Sequence, residues 1–425
     1  MKSLSKKYCT VLAILFGIIW ASCNSSSSTT KTETSNTSAS FNALAAEVFT
    51  YHFSEDSSAV YCSLNAEDLL YARKLGTTDY TAFVSFKYNL FKIEGNTKAF
   101  LDSGTFYFKD ILSAKRNKSV FKANIPLKRG VYSLQIKVSD VQRKSDFVET
   151  LTLDKSNRSS DQNFLIIDQT TGLALAPSQV KKGDSLTIES ARNSELAQLH
   201  FYSFKSEIKL PPAPFSIANP ELPLMNEAEK TSIPFDNGAA QLKVQNHLQL
   251  LSIKENPDSG FAFVAFNNEY PEIKKKDDLH APLRYLTTKQ EFENISKARN
   301  PKEKVDLFWI ECGGSKDRAR NLIAAYYERV QIANKFFSSY TEGWRTDRGM
   351  IYLVFGEPTR INSTPTQQTW IYGDDSNGTA LKFVFSKATS IWSDNVYLLR
   401  RDPMFKTHWE RMVTSWRNGR VYTNS

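Results

Sequence analysis

The sequence predicts a multidomain, mainly β protein: two immunoglobulin-like β-sandwich regions followed by an α+β domain. Three observations carry this. Short runs of β-branched and aromatic residues, broken by polar turns, fill residues 41–161. The same texture resumes over 162–275, after the polar stretch DKSNRSSDQN. From about Thr287 the apolar spacing changes to the three-and-four step of amphipathic helices before short strands return, giving a last domain over 285–425. A length of 425 residues suggests two to four domains, and 41% hydrophobic, 23% charged and 12% aromatic residues suit a β-rich globular protein.

The chain opens with Lys2, Lys6 and Lys7 ahead of VLAILFGIIW, an apolar stretch too short for a comfortable membrane span. Ala21-Ser22-Cys23 closes it. Residues 1–22 read as a signal peptide that resembles a bacterial lipoprotein signal, with Cys23 as the acylated first residue of the mature chain. Trp20 departs from the small aliphatic residue usual there, and a secretory peptide cut near Ala21 is the competing reading. Residues 23–40 have no apolar periodicity and read as a flexible tether. The resemblance implies a membrane partner reached through the lipid, at the outer membrane. No acidic run follows Cys23, since Glu33 stands alone, so the periplasmic face is expected rather than the cell surface.

The formal net charge of +9 falls to +6 once the signal lysines leave. There is no Lys/Arg run of nucleic-acid type, so nucleic acid is not expected as a partner; anionic lipid or polysaccharide suits the charge better. Cys62 and Cys312 remain in the mature chain, either paired or as buried free thiols.

In the first β region VFTYHF, YTAFVSFKYNLF, GTFYF, SVFKANI and FVETLTL read as strands, while SLNAEDLLYARKL is open between a short helix and an irregular strand. Leu127, Gly130 and Tyr132 form an L-x-x-G-x-Y that looks like the tyrosine corner of immunoglobulin-like sandwiches, where the hydroxyl bonds back to the backbone. In the second region FLIID, VKKGDSLTIES, LAQLHFYSF, QLKVQNHLQLLSI and SGFAFVAF supply strands, and the proline-rich PPAPFSIANPELP is expected to be a long exposed loop.

Thr288 and Glu291 make a capping box, Pro301 opens a second helix, and Ser315 caps a third whose stripe runs Ala319, Leu322, Ile323, Tyr326, Val330, Ala333 and Phe337. Then comes EGWRTDRGMIYLVFGEPTRI. Asp347-Arg348-Gly349 reads as a turn with Gly349 at φ > 0, MIYLVF as a strand covered on both faces, and Gly356-Glu357-Pro358 as its end. Trp344 is an anchor whose indole N–H is offered Thr346 and Asp347 as acceptors. TWIYG, ALKFVF and NVYLLR add strands, and MFKTHWERMVTSW a final helix.

This motif, with Gly343, Trp344, Thr346, Asp347, Gly349, Gly356 and Pro358, resembles the signature of the GWxTD-domain family. The resemblance covers the last third of the chain, including the helix before the motif; the ECGGSK turn departs from the acidic-proline turn frequent in the family. It implies an envelope protein, often a lipoprotein, of Bacteroidota and related bacteria, and names no reaction. The motif residues are read as a structural corner, with a ligand or partner site as the rival.

Gly183-Asp184-Ser185-Leu186 spells GDSL but sits in a β-hairpin setting and lacks a late D-x-x-H, since His408 has no Asp three residues before it. The five histidines are scattered without metal spacing. Trp344, Trp370, Trp392, Tyr352 and Tyr372 are a candidate sugar-stacking platform, with a place in the core as the alternative. The expectation is a non-catalytic outer-membrane lipoprotein, without cofactor or metal, that binds protein partners as a scaffold in an envelope complex. A surface carbohydrate-binding lipoprotein of a glycan-uptake system and an unrecognised hydrolase are the rivals.

Overall fold

The structure, a computed structural model, describes residues 35–37 and 44–421, apart from 74, 96, 114–117, 205–206, 225–226, 246, 256–259, 268, 277, 365 and 375–379. Cys23 and the signal stretch lie outside the described residues. The protein is mainly β, built from several antiparallel sheets with a helical layer toward the C-terminus.

Strand β1 (Ser35–Thr37) belongs to the last sheet and is taken up there. The first unit then runs β2 (Ala46–Tyr51), β3 (Ser57–Asn65), β4 (Ala72–Arg73), β5 (Tyr80–Glu94), β6 (Thr97–Ile111), β7 (Lys118–Pro126), β8 (Val131–Asp140) and β9 (Ser145–Asp154). One sheet has the order β2-β3-β7, the other β4-β5-β8-β9 with β6 also on β5. Alternation on β5 sends Ala82, Val84, Phe86, Tyr88 and Leu90 inward, where they meet Val60, Cys62, Phe121, Ile125, Leu134 and Ile136. Within the undecided SLNAEDLLYARKL, Ser63–Asn65 end β3, Ala66–Asp68 form a 3-10 turn and Ala72–Arg73 form β4. The Tyr132 hydroxyl donates to the Lys128 carbonyl at 3.1 Å, and Leu127 beside it is buried. Gly130 sits at φ 154°, and a Cβ there would stand 3.2 Å from the Tyr132 ring.

The second unit runs β10 (Leu165–Asp168), β11 (Ala174–Leu175), β12 (Ser185–Glu189), β13 (Gln198–Phe204), β14 (Ala228–Pro234), β15 (Ala239–Lys243), β16 (Leu248–Ser252) and β17 (Phe261–Val264). Its sheets, β11-β10-β12-β15 and β14-β13-β16-β17, enclose Ile166, Leu186, Ile188, Leu199, Leu251 and Phe263. The second sheet is covered on its other face too. Tyr202, Phe204, Leu248, Leu250 and Val264 pack on Tyr340, Trp392 and Val396 of the C-terminal unit. All of β16 is therefore buried, and the stretch after residue 275 is not a boundary between independent cores.

The C-terminal unit holds α1 (Lys289–Ser296), α2 (Pro301–Gly313), α3 (Lys316–Phe337), α4 (Asp347–Phe355), β18 (Arg360–Thr364), β19 (Gln367–Tyr372), β20 (Leu381–Lys387), β21 (Tyr397–Leu399) and α5 (Phe405–Arg417). The Thr288 capping box, Pro301 and the Ser315 cap all stand as read. The sheet order is β1-β18-β19-β20-β21, and the helices cover it around Trp309, Tyr326, Ile351, Trp370 and Phe383.

Three expectations are corrected. Residues 35–37, inside the stretch read as a tether, form β1 and pair Ser35 with Ser363 and Thr37 with Ile361. MIYLVF is the body of helix α4, not a strand. A short apolar run is compatible with a strand or a buried helix, and here the caps decide: the Thr346 side chain accepts from Gly349 N, and Gly356 at φ 80° ends the helix. The proline-rich loop is not a free surface loop. Pro211 and Pro214 are buried, and its backbone carbonyls take hydrogen bonds from the C-terminal unit.

Candidate functional site: the corner at Gly343–Gly356

Helix α3 ends, the chain turns through a 3-10 turn at Gly343–Arg345, and α4 begins at once. Two glycines allow the three segments to touch. A Cβ on Gly343 would stand 1.8 Å from the Ala333 carbonyl oxygen, and one on Gly349 would stand 1.9 Å from that of Gly343. Gly349 is thus a close-approach glycine inside a helix, and the positive φ expected of it is absent. Gly356 does take positive φ, with the Arg329 guanidinium 2.6 Å from where its Cβ would be.

Trp344 is buried, its ring edge-on to Tyr285 at 6.2 Å with the Arg345 guanidinium 5.7 Å from its centroid. Asn334 Oδ1 accepts from Trp344 N at 3.2 Å, and Tyr285 donates to the Trp344 carbonyl at 3.1 Å. Thr346 and Asp347 are engaged elsewhere. The Thr346 hydroxyl donates to the Gly343 carbonyl at 2.8 Å and accepts from Gly349 N at 3.1 Å. The Asp347 carboxylate accepts from Leu399 N at 2.7 Å and from both terminal guanidinium nitrogens of Arg401. This pair is sealed, with side-chain exposures of 3% for Arg401 and 0% for Asp347. Burial pushes the Asp347 carboxyl above the usual range, and Arg401 and the Leu399 N–H pull it back.

Every residue of α4 is buried, so both helix ends need internal partners. Asp347 places negative charge at the N-terminus, and Arg329 donates to the Leu353 carbonyl at 3.1 Å near the C-terminus. Arg348 leaves the first turn to stack 4.1 Å from the Tyr397 centroid and donate to Asn395. Burial lowers its pKa to about 10. Pro358, also buried, turns the chain toward β18.

The proline-rich strap closes this corner. Arg345 donates to the Ile208 carbonyl, Arg401 to Pro212 at 3.1 Å, Asp402 N to Pro214 at 3.1 Å and the Trp392 indole to Pro223 at 2.9 Å. The hollow left between strap and motif is about 10 Å³, the volume of a single water site. Sequence reasoning missed Arg401, Asn334 and the strap, which are remote in the chain. Arg329 did leave a signal, because it sits one turn from Tyr326 and Ala333 in the apolar stripe of α3.

The remaining candidates do not join the corner. Trp344, Trp370, Trp392, Tyr352 and Tyr372 are all buried, which overturns the sugar-stacking platform. Ser185 opens β12 after a turn in which Gly183 has φ 96°, and Asp184 accepts from Lys181 N at 2.8 Å. Cys62 and Cys312 are free thiols buried in separate cores, and burial pushes them up to about 12 and about 11. Among the described residues no group of His, Cys, Asp and Glu could hold a metal ion, and no helix is long and apolar enough to cross a membrane.

Residues 248–418 match the family model of the GWxTD domain. No curated protein matches the chain. The chain carries a GWxTD domain, and its match begins at β16, the strand buried between the second unit and the C-terminal unit.

Proposed function

We propose, with the GWxTD domain as the premise, that this chain is a non-catalytic outer-membrane lipoprotein. It is anchored through Cys23, faces the periplasm, and holds protein partners of an envelope complex of the assembly, secretion or motility kind. One observation supports the reading above the rest. The polar groups of the motif, Thr346 and Asp347, are bound within the fold beneath a strap that leaves about 10 Å³. A corner built this way holds modules at a fixed angle. The rival readings, glycan uptake and hydrolysis, have no such support at the motif.

We also read the first two units as immunoglobulin-like. The facing of β2-β3-β7 on β5-β8-β9 with β6, and the Tyr132 hydroxyl bonded back to Lys128, support this for the first. The test is affinity purification from detergent-solubilised membranes, with Cys23→Ser alongside. The reading expects envelope proteins to co-purify with the wild type and the variant to leave the membrane fraction. Recovery of the bait alone, or a variant that stays membrane-bound, overturns it.

A further inference from the structure

A hollow of about 390 Å³ lies away from the motif, on the outward face of the β6-β5-β8-β9 sheet of the first unit. The register sets side chains in rows across the strands. Thr105, Lys87, Lys137 and Val148 form one row, and Ser103, Asn89, Gln135 and Thr150 the next. Lys87 and Lys137 stand directly opposite each other, and like charges so placed destabilise a sheet. Asp146 answers one of them, its carboxylate 2.6 Å from the Lys137 ammonium. A third ammonium, that of Lys98, reaches Ser133 Oγ at 3.4 Å further along β8 on the same face. The face therefore carries unbalanced positive charge.

Its remaining chemistry is equally specific. Asn89 and Gln135 are cross-strand partners, each offering an amide donor and acceptor. Tyr107, 75% exposed, stands one row away as a ring open to solvent. Neighbouring strands are about 4.8 Å apart, so successive positions within a row are spaced at close to the length of one sugar ring.

We propose that this face binds a linear acidic oligosaccharide. Its carboxylates lie over Lys87 and Lys137, its hydroxyls exchange hydrogen bonds with Asn89 and Gln135, and one ring packs on Tyr107. Charge complementarity selects an anion. The row of amides and hydroxyls selects a hydroxylated chain over a lone phosphate. The inference stands independently of the anchor and of the protein partners proposed above.

Isothermal titration of the mature chain with a galacturonic acid oligomer tests it, with a glucose oligomer of equal length as comparator. The acidic oligomer binds and the neutral one does not. Lys87→Gln combined with Lys137→Gln lowers affinity by about tenfold or more, the scale of one lost charge-assisted hydrogen bond. Tyr107→Ala, which leaves the charge intact, lowers it several-fold, and Lys289→Gln on α1 changes nothing. A single cooperative unfolding transition, as in the wild type, establishes that the variants are folded. The proposal is overturned by absence of acidic-oligomer binding, by equal binding of the neutral oligomer, by a double lysine variant that binds like wild type, or by an equal loss in Lys289→Gln.

Discussion

The two junctions between units hold the chain together by different means. The junction between the first and second units is polar. His52 is fully buried, with Nδ1 2.8 Å from Ser58 Oγ and Nε2 3.1 Å from Gln162 Oε1. Lys155, also fully buried, donates to the Ser57 and Leu127 carbonyls at 2.8 and 2.5 Å. Arg192 joins Asn163 at 2.9 Å to Glu55 at 3.1 Å. The apolar part of that junction is the small cluster Tyr51, Ala59, Tyr61 and Leu165. The junction between the second and C-terminal units is mainly apolar, closed over Tyr202, Phe204, Leu248, Tyr340 and Trp392. Its strap is held by arginine and indole donors on backbone carbonyls, which have no proton equilibrium of their own. The comparison teaches that the polar junction responds to pH, whereas the apolar junction is sensitive to loss of packing or of a buried charge partner.

The largest expected effect lies beneath the strap. Asp347→Ala leaves Arg401 buried without its carboxylate and costs about 3–5 kcal/mol in chemical denaturation of the whole chain. Gly343→Ala, which drives a methyl into the Ala333 carbonyl, is expected to damage the same unit. A loss below about 1 kcal/mol for Asp347→Ala would put that carboxylate in solvent and end the account of a sealed corner.

Next in size is a pH effect confined to the polar junction. Burial, with Lys155 and Arg192 nearby, lowers the His52 pKa from 6.5 to about 4. The folded state resists the proton that the unfolded chain accepts, so stability is lost as pH falls from 6.5 toward 4. The full loss is about 3 kcal/mol. Lys155, lowered by burial to about 8, acts in the same direction at higher pH: its destabilising effect relieves as pH rises from 8 toward 10.5. Hydrogen exchange at pH 7 and pH 5 should show β2 and β3 loosening on acidification while β16 stays protected. Equal loosening of β16 would erase the contrast between the junctions.

Smaller still, Trp392→Phe removes the indole donor to Pro223 and costs about 1 kcal/mol. Limited proteolysis should then cut faster at the exposed strap tip around Ile217–Asn219; an unchanged rate would mean the indole does not hold the strap. Smallest is Lys87→Gln, which relieves the like-charge pair and raises unfolding stability by a few tenths of a kcal/mol. A fall in stability would show that Lys87 is needed by the fold.

Much of the fold was legible because the local signals were strong. The alternation of β5 and β8, the Thr288 capping box and the stripe of α3 need no distant partner to be read. The motif was legible as a corner, but α4 was misread because Asp347-Arg348-Gly349 serves equally as a turn or as a first helical turn. Thr346 before it and Gly356-Glu357-Pro358 after it were helix start and stop signals in the same letters. The strap was misread as exposed because prolines mark irregular backbone without saying what covers it.

By itself the sequence determined the strand texture of the first two units, the caps of α1, α2 and α3 and the place of the motif, since each rests on neighbours within a few residues. Only the tertiary structure decided that Asp347 meets Arg401, that the proline-rich strap seals the corner, and that β16 is shared by two units. Those outcomes depend on burial and on pairings between residues far apart in the chain, and periodicity carries no record of which remote side chain will arrive.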